Sequence, residues 1–219
     1  MRANPPSRLP SPLLPILDPA ATAAPLLDVL GALAAGGAAW VEYRDKAAGD
    51  RLACERAARL VREARRLGIA LLVNDRVDVA LAAGADGVHL GQEDLPAAAA
   101  RRLLGDEAII GISVDTAEEA RAAAGLPVDY VAIGPVFATA TKPDAGPVVG
   151  VAGVAAAAAA IDKPIVAVGG IDARTAPEVI AAGAECVAVV AALFGSGGVA
   201  ACTRRLIEAA ARGFRERPD

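Results

Sequence analysis

Short runs of aliphatic and β-branched residues alternate along this chain with longer alanine-rich segments at nearly regular spacing. Alternation of this kind is typical of repeated βα units. The apolar runs predict eight strands: Leu13–Leu17, Ala39–Tyr43, Ala70–Val73, Gly87–Leu90, Ile109–Ser113, Tyr130–Ile133, Pro164–Val168 and Cys186–Val190. A helix is predicted after each strand: Ala24–Ala35, Leu52–Leu67, Val77–Ala83, Pro96–Leu104, Ala117–Ala124, Gly150–Ile161, Ala176–Ala182 and Val199–Arg212.

The strands are almost continuously apolar, as a parallel sheet requires when helices cover its outer face. Eight such units in one chain favour an α/β fold of the (β/α)₈ TIM-barrel type over an open doubly wound sheet. Gly84 and Gly183 stand where helix C-caps would lead into the next strand. We expect residues 13–219 to form a single barrel domain, and the Pro-, Ser- and Arg-rich residues 1–12 to form a flexible N-terminal tail.

The composition restricts the partners of this barrel. The chain has 219 residues, a formal net charge of −4 and no block of Lys or Arg, which argues against nucleic acid as the main partner. Glycines and a proline interrupt its longest uncharged stretch, so no membrane span is expected. The cysteines, Cys54, Cys186 and Cys202, have no metal-ligand spacing, and the N-terminus lacks an apolar signal segment, so we expect reduced thiols and a cytoplasmic protein. Small molecules remain as partners, and homo-oligomerisation is left open.

Polar residues gather where the predicted strands end. In TIM barrels the chemistry belongs at the carboxyl ends of the strands. Those ends carry, in order, residues 42–46, Asn74 and Asp75, residues 91–94, Ser113, residues 139–142, and Gly169 with Gly170. The strand bodies are nearly all apolar, so this segregation indicates a functional site at one rim.

The residue types at this rim are suited to anions. Arg44 can grip a phosphate with two hydrogen bonds, while Lys46 and Lys142 supply compact charges. Neutral hydrogen bonds are available from Asn74, Ser113, Thr139 and Thr141. Asp75 and Asp94 could hold one hard cation, and a Gly169–Gly170 turn allows backbone N–H groups to approach a second phosphate. Together these features suggest two phosphorylated ligands and a metal ion.

Simpler interpretations of single residues stay open at this point. Asp75 and Asp94 each precede a predicted helix and could be no more than N-caps. The segment from Arg44 to Lys46 could be a solvated charge cluster. A core or packing role is favoured for His89, and a core position for Trp40.

Several segments of the chain closely resemble the thiamine phosphate synthases. The most specific are residues 73–78, with Asn74 and Asp75, residues 87–94, which end in Gly-Gln-Glu-Asp, and residues 134–143, which contain Thr-x-Thr-Lys-Pro. Tyr43–Lys46, Gly111–Ser113 and Val168–Ile171 fit the same family. The resemblance implies a barrel that joins hydroxymethylpyrimidine diphosphate to hydroxyethylthiazole phosphate and releases pyrophosphate.

The resemblance also implies a role for each matching residue. The pyrophosphate would be held by Arg44, Lys46, Asn74, Ser113 and Lys142. Of these, Arg44, Lys46, Ser113 and Lys142 would act in catalysis by stabilising the leaving group. Mg²⁺ would be bound by Asp75 and Asp94. The thiazole phosphate side would be lined by Thr139, Thr141, Gly170, Val190 and Ala191. The family mechanism is dissociative, so no side-chain nucleophile is expected.

Two positions depart from the family pattern. Glu42 stands where the family usually has a glutamine facing the pyrimidine, and a carboxylate cannot donate a hydrogen bond unless it is protonated. Ala191 stands where a serine is common. Two alternatives stay open. One is a thiazole tautomerase-like isomerase, whose group typically lacks an aspartate at the position of Asp75 and has a histidine at the position of Asp115. The other is a non-catalytic sensor of thiamine precursors, which only Glu42 and Ala191 favour. A phosphate-binding lyase would usually need a Schiff-base lysine or an acid–base pair inside the barrel, and no predicted strand contains a lysine.

Overall fold

A computed structural model describes residues 9–141 and 146–217 of the chain. Within these residues, eight parallel strands follow one another in chain order and form a closed barrel. The strands are Leu13–Leu17 (β1), Trp40–Tyr43 (β2), Ala70–Asn74 (β3), Gly87–Leu90 (β4), Ile109–Val114 (β5), Tyr130–Ile133 (β6), Ile165–Val168 (β7) and Cys186–Val189 (β8). The predicted TIM barrel is therefore confirmed, with every predicted strand present.

The helices surround the barrel, one after each strand. They are Leu26–Ala35 (α1), Asp50–Leu67 (α2), Val77–Ala83 (α3), Ala97–Leu104 (α4), Ala117–Ala122 (α5), Gly150–Ala160 (α6), Ala176–Ala181 (α7) and Gly198–Arg215 (α8). Short 3₁₀ helices occupy Pro19–Ala21, Ala123–Gly125 and Ala191–Phe194. Gly84 caps α3 in the left-handed conformation, as predicted, and Gly183 follows the C-cap of α7 at a φ of +119°.

Alternate residues of each strand point into the barrel, where large and small side chains fill the interior. Trp40 and Tyr130 are both fully buried there, and their rings meet edge to face with centroids 5.6 Å apart. Their interior neighbours are Leu9, Leu14, Ile16, Leu72, Ala132, Val166, Cys186 and Ala188. The predicted core position of Trp40 is confirmed. Because the described side chains fill the interior, a ligand of the barrel would bind at its rim rather than inside it.

A second and larger core lies between the barrel and the helices. Branched aliphatic residues on the outer faces of the strands meet alanines on the helices, including Ala57, Ala64, Ala157 and Ala209. The small alanine side chains let the helices lie close to the strands, which explains how a chain with 3% aromatic residues builds a full core.

The beginning of the described chain packs against the amino-terminal end of the barrel. Leu9 and Ser11 are buried, and the Pro12 carbonyl accepts a hydrogen bond from Val187 N at 3.0 Å. The proposed tail boundary at residue 12 stays a prediction, because residues 1–8 lie outside the described residues. Among the helices that the structure describes, none has the length and apolar character needed to cross a bilayer.

Close packing between β4 and β5 yields a test of the barrel. A Cβ atom on Gly87 would lie 1.9 Å from the carbonyl oxygen of Ile109, its register partner on β5. That oxygen is backbone and can move only if the strand moves. We expect Gly87→Ala to lower the free energy of unfolding by about 3 kcal/mol.

The matched control for Gly87→Ala is Gly31→Ala. Gly31 lies inside α1, and a Cβ there would have no neighbour within 4 Å. Alanine should therefore stabilise the helix by about 1 kcal/mol. Urea unfolding followed by circular dichroism measures both variants. Equal effects at the two positions would show that β4 and β5 are not packed as described.

Candidate active site

Arg44 follows β2 and is held at the rim by a buried carboxylate from β1. Its Nη1 lies 2.6 Å from Oδ2 of Asp18, whose Oδ1 accepts a hydrogen bond from Ala20 N at 2.8 Å. Asp18 is 5% exposed, so its charge is stabilised chiefly by these contacts. Asp18 did not figure among the predicted site residues. A carboxylate directly after β1, on the same rim, was the available signal.

Asp75 lies at the end of β3 and forms an ion pair with Lys46. It has a φ of +60°, the left-handed conformation that residues other than glycine rarely adopt. Its backbone N–H donates to the carbonyl oxygen of His89 at 2.7 Å. Helix α3 has Arg76 as its N-cap and no side-chain cap, so Asp75 is not a capping residue. Unusual backbone conformations in a polar rim are a mark of functional positions.

Asp94 lies beside Asp75, in the loop after β4. Its Oδ2 accepts a hydrogen bond from Gly91 N at 2.6 Å, and α4 begins after an N-cap at Pro96, so Asp94 does not cap that helix either. Burial raises the pKa of Asp94, and the neighbouring Asp75 carboxyl raises it further. The two carboxylates repel one another at the rim. A hard divalent cation bound by both would relieve this repulsion.

These two carboxylates suit Mg²⁺ in particular. This ion is usually bound by one or two protein carboxylates and completes its octahedron with water and phosphate oxygens. Within residues 9–141 and 146–217, no group of three or more His, Cys, Asp or Glu side chains could hold a metal. Asp75 and Asp94 could supply two of the ligands of such an ion.

The segment from Arg44 to Lys46 is divided between the rim and the helix layer. Asp45 accepts hydrogen bonds from the Tyr43 hydroxyl at 2.9 Å and from Arg56 Nη1 of α2 at 2.6 Å. Arg44 and Lys46 contact Asp18 and Asp75 instead. The interpretation as a solvated charge cluster is therefore wrong for Arg44 and Asp45, while Lys46 has an exposed side chain that spans toward Asp75.

Ser113 lies on β5 beside His89 of β4. The Ser113 Oγ is 2.9 Å from Nε2 of His89, and Nδ1 of the same ring is 2.9 Å from the Tyr130 hydroxyl. Gln92 donates from its side chain to the Ser113 carbonyl oxygen. His89 is 8% exposed, as a core role would require, but its two ring nitrogens also link the barrel interior to a predicted site residue.

Glu42 points into the barrel mouth from β2 and is 3% exposed. Burial raises its pKa to about 8, and the charge of Asp75 adds to this increase although Arg44 and Lys46 oppose it. At neutral pH the metal-free protein therefore favours the protonated form of the Glu42 side chain. A protonated carboxyl has one donor and one acceptor oxygen, as the amide of glutamine has a donor and an acceptor. Glu42 can therefore donate a hydrogen bond, which the sequence alone does not lead us to expect of a carboxylate at this position.

Asn74 ends β3, whereas Thr139, Thr141, Gly170, Val190 and Ala191 lie on the β6–β8 side of the rim. Thr139 Oγ1 accepts a hydrogen bond from Thr141 N at 3.2 Å. Gly170 has a φ of +66°, and a Cβ there would lie 2.6 Å from the carbonyl oxygen of Ala138, so this turn requires glycine. Val190 is the N-cap of the 3₁₀ helix that begins at Ala191. Lys142 lies outside the described residues.

Comparison with known proteins identifies the family. The family model described as thiamine monophosphate synthase matches residues 13–193. The chain belongs to the thiamine monophosphate synthase family. The thiamine-phosphate synthase of Moorella thermoacetica is 47% identical over 86% of this chain and 90% of its own length. The bifunctional ThiM/ThiE protein of Symbiobacterium thermophilum is 49% identical over 83% of this chain, which spans only 38% of that longer relative.

A solved structure supports the same family assignment. The thiamine phosphate pyrophosphorylase from Pyrococcus furiosus superimposes with a TM-score of 0.81 at 34% sequence identity, over 92% of this chain and 96% of that one. The resemblance inferred from the motifs is thus confirmed. The roles of individual residues in this family member remain predictions.

The buried acid at Glu42 yields a test that needs no substrate. Between the unfolded pKa of 4.5 and the folded pKa of about 8, the folded state keeps a proton that the unfolded state releases. Glu42 therefore reduces stability increasingly as the pH rises through this range. We expect the stability advantage of Glu42→Gln over the unsubstituted chain to grow by on the order of 4 kcal/mol between pH 4.5 and pH 8.

Denaturant unfolding in metal-free buffer at several pH values measures this advantage. Glu107→Gln, at an exposed position before β5, is the control and should follow the pH dependence of the unsubstituted chain. A constant difference between Glu42→Gln and the unsubstituted chain would show that Glu42 is ionised in the folded protein.

Proposed function

We propose that this chain is a thiamine-phosphate synthase, a transferase that joins hydroxymethylpyrimidine diphosphate to hydroxyethylthiazole phosphate and releases pyrophosphate. The proposal is carried by one observation. The ends of four adjacent strands, β2 to β5, bring Arg44, Lys46, Asp75, Asp94 and Ser113 to one side of the rim. Cations, carboxylates and a hydroxyl at one point suit a diphosphate with its metal ion.

The diphosphate would lie on this side of the rim. Arg44 is oriented by Asp18 and can give two parallel hydrogen bonds, while Lys46 supplies a mobile charge. Asn74 and Ser113 add neutral hydrogen bonds, and Lys142 adds a further cation according to the family resemblance. Bound Mg²⁺, held by Asp75 and Asp94, would neutralise negative charge as it develops on the leaving diphosphate.

The second substrate would occupy the β6–β8 side. Thr139, Thr141 and the turn at Gly170 offer hydroxyl and backbone donors to its phosphate, together with the backbone at Val190 and Ala191. The absence of a serine hydroxyl at Ala191 leaves those backbone donors in place. Protonated Glu42 would face the pyrimidine and both donate to and accept from that ring and its amino group.

The reaction needs placement and charge more than acid–base chemistry. The bond between the pyrimidine methylene carbon and the diphosphate oxygen breaks, and its electron pair leaves with the pyrophosphate. The lone pair of the thiazole nitrogen then forms the new carbon–nitrogen bond, so no proton is transferred. Arg44, Lys46 and Ser113 stabilise the departing charge, and the rim holds both rings within reach of one another.

One assay separates the synthase from both alternatives. Pyrophosphate release from both substrates and Mg²⁺, above an enzyme-free control, is expected only of a synthase. A tautomerase-like isomerase and a sensor of thiamine precursors would both release none.

The protein as proposed works in the cytoplasm, for which the free thiols of Cys54, Cys186 and Cys202 are suited.

The first variant tests the metal-binding carboxylate. Asp94→Asn keeps an oxygen that can accept from Gly91 N but removes the charge. We expect kcat for pyrophosphate release to fall by about a hundredfold or more. The matched control is Asp162→Asn, an exposed position between α6 and β7 at the opposite end of the barrel, with kcat unchanged. Near-normal turnover by Asp94→Asn at ordinary Mg²⁺ would remove Asp94 from the metal site.

The second variant tests the cation of the Thr-x-Thr-Lys segment. Lys142→Ala should also lower kcat by about a hundredfold, because one charge opposite the leaving group is lost. Lys163→Ala is the control, since Lys163 Nζ donates to the Val128 carbonyl oxygen at 2.9 Å, away from the rim. Equal turnover of the two variants would assign Lys142 a place outside the reaction.

A further inference from the structure

A chain of three side chains runs from the barrel interior to the proposed diphosphate site. Tyr130 on β6, His89 on β4 and Ser113 on β5 are joined by two contacts of 2.9 Å, one at each nitrogen of the imidazole. Tyr130 is fully buried and His89 nearly so. None of the roles assigned above to the rim residues accounts for the buried tyrosine and histidine.

The link between Tyr130 and His89 depends on a glycine in the strand between them. Gly111 of β5 is the register partner of both His89 and Tyr130. A Cβ atom on Gly111 would lie 2.0 Å from Cζ of the Tyr130 ring and 2.4 Å from its hydroxyl oxygen. The tyrosine ring therefore passes over β5 through the space that a side chain at position 111 would fill. It stacks on the imidazole ring of His89, with the two ring centroids 5.6 Å apart.

The direction of these hydrogen bonds follows from the buried phenol. Burial raises the pKa of Tyr130, so its hydroxyl keeps its proton. A buried donor without an acceptor is costly, and Nδ1 of His89 is the acceptor within reach. When Nδ1 accepts, the proton of the neutral imidazole lies on Nε2, which then donates to the Ser113 Oγ. The oxygen of Ser113 is thus engaged as an acceptor, and its own hydroxyl proton is directed elsewhere.

We propose that Tyr130 and His89 are positioning residues that make the Ser113 hydroxyl a donor to an anionic oxygen at the rim. In this arrangement His89 cannot take the proton of Ser113, so the pair is not a nucleophile and its base. The proposal rests on the proposed function in one respect, since the anionic oxygen is that of the leaving diphosphate. The hydrogen-bond direction within the protein does not depend on the substrate.

The tautomer of His89 can be read directly. His89 is the one histidine of the sequence, so the full chain labelled with ¹⁵N-histidine gives a single imidazole spin system. A two-bond ¹H–¹⁵N correlation spectrum at neutral pH should show Nε2 protonated and Nδ1 unprotonated. The opposite tautomer, or a doubly protonated ring, would overturn the proposal without any variant having to fold.

Substitution of the phenol tests the coupling. Tyr130→Phe keeps the ring in its slot over Gly111 but removes the donor to Nδ1. We expect the imidazole signals to move toward a mixture of both tautomers. Tyr43→Phe is the matched control, because it removes the other tyrosine hydroxyl, which donates to Asp45. The imidazole signals should be unchanged in that variant. An equal response to Tyr130→Phe and Tyr43→Phe would contradict the relay, that is, the hydrogen bonds from Tyr130 through His89 to Ser113.

A calorimetric measurement of the binding of inorganic pyrophosphate in the presence of Mg²⁺ tests the function of the relay. Tyr130→Phe and Ser113→Ala should each weaken binding by roughly three- to tenfold, the effect of one hydrogen bond. The double variant should bind no more weakly than Ser113→Ala alone, because Tyr130 acts through Ser113. Independent, multiplying losses would overturn the positioning role.

The two proposals can fail separately. The expected tautomer in a protein that neither binds nor releases pyrophosphate would refute the proposed function and the diphosphate as the acceptor. Normal pyrophosphate release by a protein with Nδ1 protonated would refute the relay and leave the synthase activity standing.

Discussion

Hydrogen bonding between β1 and β8 closes the sheet, and the site depends on this closure. Once a parallel sheet is closed, the carboxyl end of every strand lies at one rim, and residues far apart in the chain become neighbours. Asp18 and Arg44, which are 26 positions apart, form an ion pair because β1 and β2 are adjacent. Closure also turns alternate side chains inward, so Glu42 meets the mouth of a packed interior rather than solvent.

The interior of so small a barrel is crowded. A large side chain fits there where a neighbouring strand has a glycine and therefore no side chain. Trp40 and Tyr130 fill space on one side, and Gly111 on β5 provides the room for the tyrosine ring. This exchange of volume has a chemical consequence. The ring that fills the slot over Gly111 carries a hydroxyl to His89, so a packing solution in the core also sets a hydrogen-bond direction at the rim.

The sequence predicts the fold of this chain almost completely, because apolar periodicity is a local signal. Every predicted strand is present, and the differences are displaced ends of strands and helices, such as the start of α2 at Asp50 rather than Leu52. The residues of the rim were predicted in part for the same reason, since strand ends can be located one by one. Asp18 was not, because its importance lies in a contact across two strands. The relay could not be predicted either, since it depends on Gly111 being opposite both His89 and Tyr130.

Glu42 shows why residue type alone is a poor guide at such a rim. From the sequence, a carboxylate at this position suggests a negative charge facing a neutral ring. Burial reverses this expectation, because an acid with little access to water and near another carboxylate retains its proton. A protonated Glu42 then offers nearly the same hydrogen-bonding pattern as the glutamine that the family resemblance leads us to expect there.

Burial and neighbouring charges also decide the behaviour of the charged residues around Glu42. Arg44 and Lys46 each have a carboxylate partner, so the rim combines local cations with nearby anions in a chain of net negative charge. Asp18 is buried and keeps Arg44 in place, whereas Lys46 is largely exposed and its partner Asp75 belongs to the proposed metal pair. An arriving diphosphate with a divalent ion would supply each member of that second pair with a new partner of opposite charge. The buried pair orients the site and the exposed pair can exchange, which is how one rim can be both preorganised and able to bind.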